Sequence, residues 1–104
     1  MILTRLGILM QSNQNLTYNI PISCDGSISS LACSLLVLCS AYTNTPLPVF
    51  GTIFYSDATL TTPYNFSGYT NIFIKFQQFD SGNYYSCRID PSTSAVNNTP
   101  VACP

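Results

Sequence analysis

Charge is the scarcest ingredient of this chain of 104 residues: three Lys or Arg side chains stand against four Asp, with no glutamate and no histidine. Arg5, Lys75 and Arg88 are spread too thinly to release the counterions on which nucleic-acid affinity depends, so that partner is excluded. Without histidine, neither a Ser-His-Asp nor a Cys-His nucleophilic arrangement can be built. Zinc is disfavoured for the same reason, since no Cys-x-x-Cys pair is present either. General acid–base chemistry is left to Asp25, Asp57, Asp80 and Asp90, and each sits in a turn context where a carboxylate caps its own backbone. No glycine-rich phosphate loop and no Asp-x-Asp-x-Asp calcium spacing occurs, so the sequence points away from an enzyme and calls for no cofactor or metal. Long hydrophobic runs are missing too. Leu31 to Leu38 is interrupted by Cys33 and Ser34 and falls far short of the roughly 20 residues a bilayer span requires.

With so little charge, solvation falls to Thr, Ser, Asn and Tyr, and three Asn-x-Ser/Thr sites offer sugar as a further solvating layer. These are Asn15-Leu-Thr, Asn65-Phe-Ser and Asn97-Asn-Thr. Five cysteines together with these sites indicate an oxidising, extracellular setting, and the odd count leaves one thiol unpaired or reaching a neighbouring chain. If Cys33 and Cys39 lie on one straight strand they cannot pair, because six residues at about 3.3 Å each part them by roughly 20 Å, against the limit of about 7 Å between bridged Cα atoms. Cys33 is left with Cys24, across the Asp25-Gly26 turn, or with Cys103.

The length suits one domain with a two-layer core. Residues 1–14 form an apolar, strand-compatible segment and a polar link, and 15–104 form the body. A strand is expected over Leu16 to Ile22, with Pro21 marking an edge position. After the Asp25-Gly26 turn, Leu31 to Tyr42 is apolar on both faces; a short helix is conceivable there, but a central strand ending at Asn44-Thr-Pro46 is preferred. Val49 to Tyr55 reads as a further strand, and Ser56 to Pro63 as a turn with a short one. Tyr64 to Gly68 is a loop. Residues 70–79 alternate, with Ile72, Ile74 and Gln78 towards one face and Phe73, Lys75 and Phe79 towards the other. Asp80-Ser81-Gly82 then turns the chain into a second aromatic strand that carries Cys87. Beyond Ile89 little remains to pack apart from Val96 and Val101-Ala-Cys103.

The stretch Thr70 to Ile89, with Asp80, Gly82, Tyr84, Tyr85 and Cys87, resembles the corner between strands E and F of the immunoglobulin superfamily. The resemblance covers roughly Leu35 to Ile89 and implies an all-β fold, an antiparallel immunoglobulin-like sandwich, here with an extra N-terminal strand. Ser34 to Tyr42 then looks like strand B, and the inter-sheet bridge of that family implies Cys39 with Cys87, with Cys24 to Cys87 as the competing choice. The family's tryptophan is missing, so Ile53 or Phe54 has to fill its volume. One residue more than the usual spacing stands between Asp80 and Cys87, which leaves open whether Tyr84 or Tyr85 ties down the corner.

A weak final strand and an apolar start suggest one function. Ile2, Leu3, Leu6, Ile8 and Leu9 should not be left in water, and strand F lacks a strong partner, so donation of the N-terminal segment into a neighbouring subunit would satisfy both. Repeated head to tail, such a contact builds a filament. The leading expectation is a secreted, glycosylated subunit of a filament or pilus-like fibre, a homopolymer; the alternative is a cell-surface or viral adhesion or receptor-binding module. The segment 1–10 has no uninterrupted apolar core and no small-x-small cleavage site. Either a leader has already been removed from the numbered chain, or the segment has a structural role.

Overall fold

A computed structural model describes residues 16–69 and 71–104. Among these residues six strands carry the fold: β1 Tyr18–Ile22, β2 Cys39–Thr43, β3 Phe73–Gln77, β4 Tyr84–Asp90, β5 Ala95–Val96 and β6 Val101–Ala102, with a 3-10 helix at Ser29–Ser34. Every pairing is antiparallel, and hydrogen-bonded neighbours run in the order β2-β1-β3-β4-β5, with β6 also on β4. The chain is therefore all-β. Its short strands follow the two-residue period: Ile20 and Ile22 in β1, and Ile74 and Phe76 in β3, point inward and are buried.

The sheet curls back on itself. Residues 51–55 pair with β5, through Gly51 N–H to Val96 O at 2.8 Å, Val96 N–H to Thr52 O at 2.8 Å and Phe54 N–H to Ser94 O at 2.9 Å. Tyr55 then exchanges two 2.8 Å hydrogen bonds with Tyr42 of β2, so the ring of hydrogen bonds returns to the strand where it began. Inside it lie Phe54, Phe66, Phe76, Ile20, Ile22, Ile74, Ile89 and Val96, packed with Cys87 and Ala41. Phe54 is fully buried, with its ring 6.1 Å from Phe66 and 6.2 Å from Phe76.

Several expectations are corrected by this architecture. Leu31 to Tyr42 is not one central strand, because the chain coils through Ser29–Ser34 and pairs only from Cys39 onward. Only Ala32 of the preceding apolar run is buried, so most of its side chains have no layer to pack against. Val49 to Tyr55 contributes bridges at Ile53 and Tyr55 rather than a full strand, since Val49 to Thr52 closes a turn first. The strand of Pro21 is not an edge strand, since β1 has β2 on one side and β3 on the other, but at Pro21 itself the β3 side carries no ladder pair. The proline is tolerated because β3 meets β1 only at Ile22 opposite Phe76, with Ser23 N–H to Lys75 O at 2.8 Å just beyond, so no ladder bond is asked of its missing N–H.

The tail after Ile89 is also better structured than its composition suggested. A turn at 91–94, with Ser94 at φ 63°, brings Val96 opposite Ile89, and after Asn97 and Asn98 the chain rejoins β4 with Val101 opposite Ser86. Arg88 bridges the gap: its N–H donates to Asn98 Oδ1 at 2.8 Å, its Nε donates to Asn97 Oδ1 at 2.8 Å, and its carbonyl accepts from Asn97 N–H at 2.9 Å. Strand β4 consequently has a partner on both edges from its own chain, and the expected vacancy beside it is filled.

Candidate interaction surface

The cysteines shape the most unusual surface of the molecule. Cys24 pairs with Cys39 at a Cα separation of 5.1 Å, and Cys33 pairs with Cys103 at 5.6 Å. The bridge between Cys39 and Cys87 does not form. Cys39 stands opposite Ile22 in the β1–β2 register, so Cys24 arrives beside it two residues later, whereas Cys87 lies opposite Ile74 and faces the apolar core. Cys87 is the free cysteine, buried, and desolvation pushes its thiol well above the ordinary range. The competing pair of Cys24 with Cys87 falls for the same reason.

The two bridges hold the segment from Cys24 to Cys39 at its base and in its middle. Its start is tightly constrained as well. A Cβ on Gly26 would come within 1.8 Å of the Asn71 carbonyl oxygen, so only glycine fits where Ser27 pairs with Phe73. The 3-10 helix that follows packs against β3 and β4. Yet Ile28, Leu31, Leu36 and Leu38 are 65%, 62%, 70% and 77% exposed. No charged residue lies between Asp25 and Asp57 to break up this apolar run. Loops that carry water-facing leucines on a doubly bridged scaffold are unusual on a solitary domain.

The corner residues do come together, in a way the sequence left open. Gly82 takes φ +75°, and Gln78 organises the turn: its N–H donates to Asn83 O at 2.8 Å, and its side chain meets Asp80 at 2.7 Å and Ser81 at 2.7 Å. Tyr85 ties this corner, donating from its hydroxyl to Gln78 Oε1 at 3.3 Å while its ring stacks on Phe76 at 5.5 Å. Tyr84 instead faces outward under Lys75, whose ammonium lies 4.6 Å from the ring centroid.

The other polar features are self-contained. Asp57 accepts hydrogen bonds from the hydroxyls of Thr59 and Thr61 and from the backbone N–H of Thr61 and Thr62, which together hold its carboxyl well below the usual carboxylate range. Ser92 does the same for Asp90, lowering it through its hydroxyl and N–H. Asp25 Oδ1 caps the N–H of Gly26 at 2.7 Å. These are turn-closing carboxylates of the kind the sequence context suggested. Among the described residues no group of three or more His, Cys, Asp or Glu side chains gathers to hold a metal ion, and no helix is long and apolar enough to cross a membrane.

Phe66 and Tyr69, which form an aromatic cluster with Tyr64, line a cleft of about 280 Å³ together with Ile72, Ile89 and Pro91. The Tyr69 hydroxyl donates to the Ser23 carbonyl at 2.7 Å and lies 3.2 Å from the Tyr64 hydroxyl, and burial raises its pKa well beyond the ordinary phenol range. It is spent on structure. Asn65, beside this cluster, is exposed, and Asn97 is half-buried against Arg88. Asn15 and the expected contact residues Ile2, Leu3, Leu6, Ile8 and Leu9 lie outside the described residues.

No family model matches the chain, and no curated protein or solved structure is similar to it. The surface itself has to carry the reading. The central strand expected over Leu31 to Tyr42 would have covered Leu36 and Leu38, which instead face water. Alternation of exposure from Leu36 to Ser40 follows from which face the sheet leaves uncovered, and no local signal announces that.

Proposed function

We propose that the chain is a secreted, N-glycosylated structural subunit that assembles with copies of itself into an extracellular filament through its apolar N-terminal segment. The observation that carries this reading is the row Ile28, Leu31, Leu36 and Leu38, exposed on a segment that two disulfides hold in place. Rigidly displayed apolar surface is a contact surface, and a homopolymer supplies a partner of matching chemistry in Ile2, Leu3, Leu6, Ile8 and Leu9. Two bridged cysteine pairs support an extracellular location. The exposed Asn65 supports glycan attachment, with Asn15 and Asn97 as the further sites. The role is non-enzymatic, in keeping with carboxylates already engaged in their own turns. For the fold, the corner at Gln78 to Tyr85 supports an immunoglobulin-like relationship, although the disulfides are arranged differently from that family's bridge.

One observation favours the alternative, an adhesion or receptor-binding module: β4 is completed by β5 and β6 of the same chain, so the domain needs no donated strand there. Negative-stain microscopy and sedimentation of the secreted protein separate the two. Fibres, or a ladder of oligomers that collapses when residues 1–10 are deleted, are expected for the filament subunit. A small discrete species at micromolar concentration, unchanged by the deletion, supports the module instead.

A further inference from the structure

With both edges of β4 occupied, an incoming strand needs another edge, and among the described residues β2 leaves one open. Tyr42 turns its N–H and C=O away from β1 and spends both on Tyr55. By the two-residue period of a strand, Ser40 turns its own N–H and C=O the same way. Nothing among the described residues takes them. After Tyr55 the chain bends into the turn built on Asp57 and departs towards the other end of β2, where Thr17 donates to the Ala58 carbonyl at 2.9 Å. The edge then continues backwards from Cys39: Leu35 is extended, at φ −75° and ψ 156°, and from there Leu36, Leu38 and Ser40 are exposed while Leu35, Val37 and Cys39 are half-buried. That alternation is the exposure pattern of a strand, on an edge that takes no partner among the described residues.

Sheet edges in water are normally blunted by charge, proline or a bulge. This one has no charge or proline anywhere in Leu35 to Ala41, and its outward side chains at 36 and 38 are leucines. Cys39 is anchored to Cys24 at one end, and Cys33, just before Leu35, is anchored to Cys103. The two bridges fix the chain on either side of Leu36–Leu38 before anything binds, which lowers the ordering cost of a strand docking there.

We propose that Leu36–Ser40 is the acceptor edge for the N-terminal segment, Met1–Met10, of a second copy of the chain, which adds to β2 as an antiparallel strand. This rests on the assembly reading above and names its contact surface. Taken at a period of two, Met1–Met10 places Ile2, Thr4, Leu6, Ile8 and Met10 on one face, an aliphatic stripe that matches the chemistry of Leu36 and Leu38, and it carries one charge, Arg5. The donor comes from another copy for a geometric reason. Antiparallel addition within one chain would leave Met10 at the Leu36 end of the edge, while β1 starts at Tyr18 opposite Thr43, at the other end. Gln11 to Thr17 would have to run back along β2 and cross it; a second copy meets no such demand.

The test places a photo-reactive amino acid at position 38 of the whole chain and mixes isotopically labelled with unlabelled protein. A cross-link between position 38 of one isotope and residues 1–10 of the other is the expected result. Cross-links confined to one isotope show the segment folding back on its own domain, which overturns the inference. Cross-links from position 38 to any other segment, in protein that still polymerises, overturn it too and leave the assembly reading standing. Monomers without cross-links sink both. In parallel, Leu36→Lys with Leu38→Lys should raise the concentration for half-assembly by about tenfold or more, whereas Phe50→Lys, an equally exposed apolar position in a turn, should change it by less than about twofold. Equal effects of the two changes would show general apolar association and overturn the edge assignment.

Discussion

At the scale of single residues, Cys87 is the most informative side chain in the molecule. It belongs to the motif by which the stretch Thr70 to Ile89 resembles an immunoglobulin corner, yet it is the cysteine that makes no bridge. Buried in the core and opposite Ile74, it acts as a small apolar side chain, and burial keeps its thiol protonated. The unreduced protein should therefore show almost no thiol to an Ellman-type reagent when native and about one per chain once unfolded in guanidinium, following the free-cysteine assignment. A fast-reacting native thiol, or none after unfolding, contradicts the pairing. Tyr85 illustrates how far residues were legible. Counting back from Cys87 marks it as a corner residue, but its bond to the Gln78 side chain depends on the turn at Asp80 to Gly82 having already folded.

At the scale of elements, the molecule is a set of very short strands that would be marginal alone. The bridges tie them together. Cys33–Cys103 links the 3-10 helix to the end of β6, a strand of two residues whose side chains are exposed and whose own packing contributes little. Its 70-residue separation implies roughly 4 kcal/mol of stabilisation in a chain-entropy account. Cys33→Ser with Cys103→Ser should lose about 2–4 kcal/mol, read as a lower urea midpoint, and hydrogen exchange should accelerate at β6 and the 3-10 helix before β3. Unchanged exchange at β6 would show that β4 holds this strand without the bridge. Strands β1, β3 and β4 could be read from the sequence because alternation in Ile20–Ile22 and Ile74–Phe76 is local. Strand β5 could not, since Ala95 and Val96 become a strand only through Ile89 on one side and Thr52 on the other.

At the scale of the whole molecule, the scarcity of charge sets the response to pH. No histidine is present, and the two carboxylates with depressed pKa values, Asp57 and Asp90, are held down by hydroxyl and backbone donors in their turns. A carboxylate whose pKa is lower folded than unfolded contributes stability above the unfolded value, near 4, and the contribution is lost as pH falls through the folded one. Stability should stay flat from about pH 5 to 7 and decline below about pH 4. In Asp57→Asn with Asp90→Asn that acid decline should be reduced, as followed by urea unfolding at several pH values. An unchanged acid limb in the double variant would place the loss on other groups.

The sequence alone determined the all-β class, the oxidised cysteines, the turns at Asp25-Gly26 and Asp80–Gly82, and the poverty of catalytic side chains. Each of these follows from composition or from neighbours within a few residues. Tertiary structure decided which cysteines meet, that residues 95–102 complete β4, and that Leu36 and Leu38 face water. Those outcomes depend on segments far apart in the chain: Cys103 meets Cys33 across 70 residues at the end of β6, which pairs with β4, and the chain beyond Tyr55 turns on Asp57 instead of continuing along β2. An apolar run by itself does not say whether a sheet will cover it.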